Sequence, residues 1–224
     1  MRILSLLIIL LISYIPTYAI EYTHSDGSHI TVTIPLGISD IAQKTVEVKI
    51  KELLPSENSI FLIPTTVPNL TLESEYIDTK DWEHTIKVRK IYANNKVSSL
   101  LINTYEYTGG AHGSSARIGM VIDNTSGKIL SLEDFYDTEK LVKRLAPIWQ
   151  KQIRSNLERS LEKKLTADEK DWIRDGTSDI QQYQSFVITP TLLIIYGQQY
   201  QHNAYAYGMQ TLIYPRAKLT DIAK

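Results

Sequence analysis

The sequence contains no cysteine, which excludes disulfide bracing, thiol catalysis and thiolate metal sites together. Phenylalanine is scarce, three residues against 14 tyrosines, so an aromatic surface built from this chain carries hydroxyl tips. Neither sign of charge dominates. The formal net charge is −1, and no basic block or stripe appears, so a nucleic-acid partner has no support. After residue 12 no run approaches the roughly 20 apolar residues of a membrane-spanning helix. The histidines His24, His29, His84, His112 and His202 form no i,i+4 pair and no His-Glu-x-x-His helix, so no metal and no cofactor is expected.

What is present begins with a leader. Arg2 is a minimal positive start, Ile3 to Ile12 is almost all Leu and Ile, and Pro16 breaks the run ahead of Thr17-Tyr18-Ala19. That order reads as a secretory signal peptide over residues 1–19, cleaved near Ala19. The protein is then exported, periplasmic or secreted, with no transmembrane segment in residues 20–224. A chain of this length buries roughly 70% of its unfolded surface, enough for a core without staples. A monomer is the default state.

Periodicity places the elements. Ile30, Val32 and Ile34 alternate with polar residues as a half-buried strand. Ser39 is placed to cap a helix to about Leu54, although Val46-Glu47-Val48-Lys49-Ile50 alternates and also admits a strand. Pro64 and Pro68 make residues 55–72 irregular or edge-like. A strand through Ile86 to Tyr92 turns at Asn94-Asn95 into Val97 to Tyr107, and Arg117 to Asp123 returns. A short helix is expected at Leu132 to Tyr136, behind Ser131 and Asp134. From Thr138 the spacing becomes helical through Leu141, Leu145, Trp149, Ile153 and Leu157, with a kink or restart expected at Pro147. Thr166 and Glu169 form a capping box for a second helix. Strands follow at Phe186 to Ile188, Leu192 to Tyr196 and Gln210 to Tyr214. Strands, a helical middle and strands again predict an α+β fold: mainly antiparallel sheet flanking a central long amphipathic helix, without βαβ alternation, as one unit of two pseudo-halves.

One strand ends in Tyr105-Glu106-Tyr107-Thr108-Gly109-Gly110-Ala111-His112-Gly113. Clustered glycines mark backbone with positive φ or no room for a Cβ. Further on stand Asp123 to Lys128, Leu132 to Phe135, Phe186 to Leu193 with Tyr196 and Tyr200, and Ala204-Tyr205-Ala206-Tyr207-Gly208. Together these segments resemble a bacterial extracytoplasmic domain family of unknown function. That family forms the lysozyme-binding outer part of the anti-sigma factor RsiV and the accessory region of the peptidoglycan deacetylase PdaC. The resemblance runs from about Ile30 to Leu219. It implies an N-terminal half, residues 20–118, similar to the PdaC accessory region and ending in the Gly-Gly-Ala-His-Gly loop. Residues 119–224 then form a half similar to the C-terminal part of RsiV. Neither a sigma-binding region ahead of the apolar leader nor the Asp and paired-His site of a deacetylase domain is expected in this sequence. The resemblance therefore implies a sensing or binding module.

The chemistry of the residues stays open between several readings. His112 suits acid–base work, but no second catalytic group is fixed near it by sequence. No Gly-x-Ser-x-Gly elbow accompanies the glycine loop, and no Gly-Lys-Ser/Thr ends it. Glu106 and Asp123 are the candidate carboxylate pair of a glycosidase, while Asp123 also suits capping the turn after it. His112 and His202 are candidates to approach in space. Tyr105, Tyr107, Tyr183, Tyr196, Tyr200, Tyr205, Tyr207 and Tyr214 gather in sequence around the two motifs, and tyrosines suit wet protein or sugar interfaces. The expected binding residues are Tyr105, Tyr107, Thr108, Gly109, Gly110, His112, Tyr200, Tyr205 and Tyr207, with no catalytic or metal residues assigned. The partner is a protein such as lysozyme, or a peptidoglycan fragment. A hydrolase or deacetylase acting on envelope polysaccharide and a structural envelope protein are the alternatives.

Overall fold

The computed structural model describes residues 17–23, 29–53 and 83–224. The signal-peptide reading falls on residues 1–16, apart from Thr17 to Ala19, and the Pro64–Pro68 segment falls on residues 54–82. Both lie outside the described residues. Two sheets and three helices make up the rest. The larger sheet runs in sequence order β1-β2-β3-β4-β5-β6, from Thr17–Thr23, His29–Pro35, Glu83–Ala93, Val97–Tyr107, Ser114–Asp123 and Ile129–Leu130. The smaller sheet is β7-β8-β9, from Phe186–Ile188, Leu192–Tyr196 and Thr211–Pro215.

The mainly antiparallel α+β expectation holds, with one correction. β2 and β3 pair in parallel, His29 beside Glu83 and Thr33 beside Lys87. A βαβ crossover therefore exists, with α1 (Asp40–Leu53) in the connection. Between strand and helix over residues 46–50, the helix is formed. Ser39 caps it: its Oγ accepts from the Ala42 amide at 3.1 Å, satisfying one otherwise unpaired helix-start donor, and its carbonyl accepts the first helical bond from the Gln43 amide at 2.9 Å.

Side-chain parity then builds four layers. Even-numbered Ile86, Val88, Leu100 and Ile102 point to α1 and pack with Ala42, Val46 and Ile50. Leu101, from the opposite face of β4, packs with Val187 and Tyr196 of the small sheet. The other face of that sheet, Phe186, Ile188, Leu193 and Ile195, meets α2 (Thr138–Leu161) through Leu145, Trp149 and Ile153. No restart occurs at Pro147, since α2 is continuous to Leu161. Pro147 is exposed, so the carbonyl deprived of its partner one turn earlier faces water. The helix after Ser131 is a single 3₁₀ turn, Leu132–Asp134, shorter than expected. α3 (Ala167–Asp175) starts on the Thr166–Glu169 capping box at 3.2 and 2.7 Å.

Close backbone approach joins the sheets. A Cβ at Gly119 would stand 2.6 Å from the backbone of Phe186. The edge of β5 beyond the short β6 is closed by side chains rather than by another strand. The amides of Ser115, Arg117 and Gly119 donate to Gln199 Oε1, Gln198 Oε1 and Ser185 Oγ, at 3.1, 3.1 and 2.8 Å. The Arg117 carbonyl accepts from Ser185 Oγ and Gln198 Nε2, each at 2.6 Å.

Candidate functional site

β4 delivers the glycine loop to the same end of the molecule as residues 198–208. Gly109 and Gly110 hold φ of +90° and +96° with open space where a Cβ would be. Their need for glycine is conformational. Gly113 differs, since a Cβ there would lie 2.4 Å from the Tyr105 ring. The Tyr107 hydroxyl donates to the Gly110 carbonyl at 3.2 Å and closes the loop.

Within this frame His112 stacks on Tyr205, with centroids 3.9 Å apart and planes 17° off parallel, worth about 1 kcal/mol as an aromatic pair. His112 Nδ1 donates to the Gly113 carbonyl at 2.9 Å. That bond leaves Nε2 as an acceptor in the neutral ring, and the Tyr200 hydroxyl faces it at 3.4 Å. Tyr200 and Tyr205 are themselves 6.1 Å apart. Tyr205 sits in a 3₁₀ turn, Tyr205–Tyr207. With the Asn203 amide turned so that its nitrogen donates to the Ala204 and Gly208 carbonyls, at 3.0 and 3.2 Å, Asn203 pins both ends of that turn.

Tyr200 has the left-handed φ of +59°, uncommon for an aromatic residue. The Trp172 indole N–H, on α3, donates to its carbonyl at 2.8 Å. Tyr200 remains 49% exposed and Trp172 40%. The structure therefore brings the exposed His112 and Tyr200 together with the half-buried Tyr205, with Tyr105, Tyr107, Gly109 and Gly110 shaping the loop that carries His112. Thr108 is exposed, and among the described residues its side chain makes no hydrogen bond. Tyr207 is exposed at the end of its turn and makes no ring–ring contact among the described residues.

Three tyrosines of the expected surface belong to the core. Tyr183 is fully buried and donates to the Thr177 carbonyl at 2.8 Å, and burial raises its pKa. Tyr196 packs between the sheets, and Tyr214 packs against the α2 core. Tyr196 lies on β8 and Tyr214 on β9, whereas Tyr183 ends the 3₁₀ turn Ile180–Tyr183 ahead of β7.

The two candidate pairings with chemical content do not form. His112 stands in the exposed stack, whereas His202 is 2% exposed and tilts against Trp149 at 4.6 Å. Gly197 and Gly176 make room for His202: a Cβ at the first would lie 2.4 Å from its ring and at the second 2.0 Å from the Gln201 carbonyl. Burial lowers the His202 pKa to about 4. Glu106 lies opposite Ser114 and Asp123 opposite Val97. That places the two carboxylates at opposite ends of the hairpin, roughly 30 Å apart at about 3.4 Å per residue. Glycosidase carboxyls stand about 5–9.5 Å apart. Asp123 instead caps its turn, accepting from the Ser126 and Thr125 amides at 2.7 and 2.9 Å, and those bonds, the Ser126 amide first, lower its pKa. Among the described residues no three His, Cys, Asp or Glu side chains converge as metal ligands.

The stack thus unites the two motifs read from the sequence, and each motif falls within the span of a different family model. One, described as "Deacetylase PdaC", matches residues 23–115. The other, described as "Protein of unknown function (DUF3298)", matches residues 133–217. Together the two matches support a DUF3298/PdaC-associated family for this chain. The peptidoglycan-N-acetylmuramic acid deacetylase PdaC of Bacillus subtilis (strain 168) is 26% identical over 153 residues, covering 64% of this chain and 31% of the relative. The chain therefore spans about a third of that protein's length. Crystal structures of DUF3298 family proteins from Pseudomonas aeruginosa PAO1 and Bacteroides fragilis NCTC 9343 share the fold. Their TM-scores are 0.58 and 0.57, each at 16% identity, covering 94% and 93% of both chains. His112 comes from the first matched segment and Tyr200 and Tyr205 from the second. Sequence reasoning missed Trp172, whose indole fixes Tyr200. No local pattern signals it, because the bond spans two elements. No described helix is long and apolar enough to cross a membrane.

Proposed function

We propose that this protein is an exported recognition module of the bacterial cell envelope, holding its ligand on the Tyr200–Tyr205–His112 platform. The observation that carries the reading is the His112–Tyr205 stack. Two family segments spend aromatic surface there on an exposed junction rather than on the core. Rigid tyrosine rings with polar tips on shaped loops suit wet interfaces. Export rests on the apolar leader over residues 1–19. Two ligand classes follow from what the chain is similar to. Resemblance to the sensing domain of RsiV supports a protein such as lysozyme, and the name of the Bacillus relative supports peptidoglycan.

Interferometry of the purified protein against lysozyme and against soluble peptidoglycan fragments tests this. Saturable binding is expected to weaken about tenfold in Tyr205→Ala, the size of one lost aromatic contact, with an unchanged circular dichroism spectrum. No binding to either ligand, or binding indifferent to Tyr205→Ala, overturns the reading.

A further inference from the structure

Beside the platform lies an open depression of about 320 Å³, at the lower end of the roughly 300–1,000 Å³ of small-ligand sites. Gln181, Gln182, Gln184, Gln198, Gln199 and Gln201 line it, with Ser185, Tyr196 and Tyr200 completing the wall. No charged side chain contributes.

The glutamines divide into two sets. Gln198 and Gln199 hold the edge of β5, and Gln201 Nε2 donates to the Gly176 carbonyl at 2.8 Å while its Oε1 accepts from the Gln198 amide at 2.8 Å. This wall is fixed. The side chains of Gln181, Gln182 and Gln184 make no hydrogen bond among the described residues. Each free amide offers two donors and an acceptor. Tyr200 stands at the junction of depression and platform, in a strained conformation that Trp172 anchors. Strain of that kind concentrates where a side chain must be presented.

We infer that this depression is a subsite for an uncharged sugar unit carrying hydroxyl and acetamido groups, resting on the recognition reading of the adjoining platform. Free amides match the donor and acceptor pattern of hydroxyl and acetamido groups, and the Tyr200 ring supplies an apolar face. The lack of charge leaves nothing to select an ionic ligand. A peptide adding as a strand needs unpaired backbone groups, and the β5 edge here has already given its amides to Gln198, Gln199 and Ser185.

The test titrates the full protein with the β-1,4 tetramer of N-acetylglucosamine, with its fully de-N-acetylated counterpart, and with lysozyme, following tryptophan fluorescence. The variants are Gln181→Ala/Gln184→Ala, both exposed positions whose loss leaves the fold intact, and Tyr205→Ala. Saturable binding of the acetylated tetramer, at least about tenfold weaker in the double glutamine variant, is expected. Absence of that binding, insensitivity to the glutamine changes, or equal affinity for the de-N-acetylated tetramer overturns the subsite. Lysozyme binding without sugar binding overturns the subsite and leaves the platform reading standing. Sugar binding lost in the glutamine variant but untouched by Tyr205→Ala supports the subsite and overturns the platform.

Discussion

Acid should loosen this protein through His202. The ring is buried against Trp149 and clasped by Gly176 and Gly197, and its Nδ1 has no hydrogen-bond partner among the described residues. Burial lowers its pKa from 6.5 to about 4. Unfolded, the imidazole takes its proton near 6.5; folded, only near 4. Between those values the unfolded chain binds more protons, so stability falls as pH falls through this window. The full difference is worth about 3 kcal/mol, and by pH 4.5 about 2–3 kcal/mol is lost. Asp134 and Asp221 are held near 2, chiefly by hydrogen bonds from Lys128 and Arg144, so their contributions are lost in more acid solution. His84 is also lowered by burial, opposed by Glu106, and because it is common to both proteins its contribution is removed by subtraction. The assay is urea unfolding followed by tryptophan fluorescence at pH 7 and 4.5, in the native protein and His202→Gln. The native protein should lose about 2–3 kcal/mol more than the variant. Equal losses would refute the reasoning, because the acid sensitivity would then reside elsewhere.

Gly119→Ala drives a Cβ into the Phe186 backbone and should cost about 3 kcal/mol as overpacking, seen as a lowered Tm. Ser185→Ala removes the acceptor of the Gly119 amide and a donor to the Arg117 carbonyl; about 1–3 kcal/mol of stability should go, with faster hydrogen exchange at the Gly119 amide. Gly110→Ala forces a side chain into φ of +96° and should cost about 1–3 kcal/mol. Because the loop is open, the change should appear in the His112 imidazole NMR shifts while core signals stay put.

Much of the fold was legible because local signals agreed with tertiary demands. Leu141, Leu145, Trp149, Ile153 and Leu157 repeat at helical spacing, and all five are buried in α2. Asn94 announced a hairpin, and its Oδ1 accepts from the Lys96 and Val97 amides at 2.8 and 2.9 Å. Val46 to Ile50 was ambiguous because alternate apolar residues fit either period, and the Ser39 cap decides for helix. Parallel pairing of β2 with β3 left no local trace, since it depends on where a crossover returns. The glycine loop and the Tyr205 turn were readable as separate motifs. Their meeting at His112 was not, and neither was the sorting of Tyr183, Tyr196 and Tyr214 into the core. Both depend on how the sheets stack.

The platform is a seam. His112 and Tyr205 reach it from opposite sides of the junction between the two matched segments, so a ligand resting on both acts as a staple across it. By mass action, a ligand at about 100 times its Kd adds about 2.7 kcal/mol to the native state. Most of that gain would fall on the docking of one segment against the other. Occupancy would then register as resistance to separation of the halves, a mechanical signal that a change in local structure at the rings would not reveal.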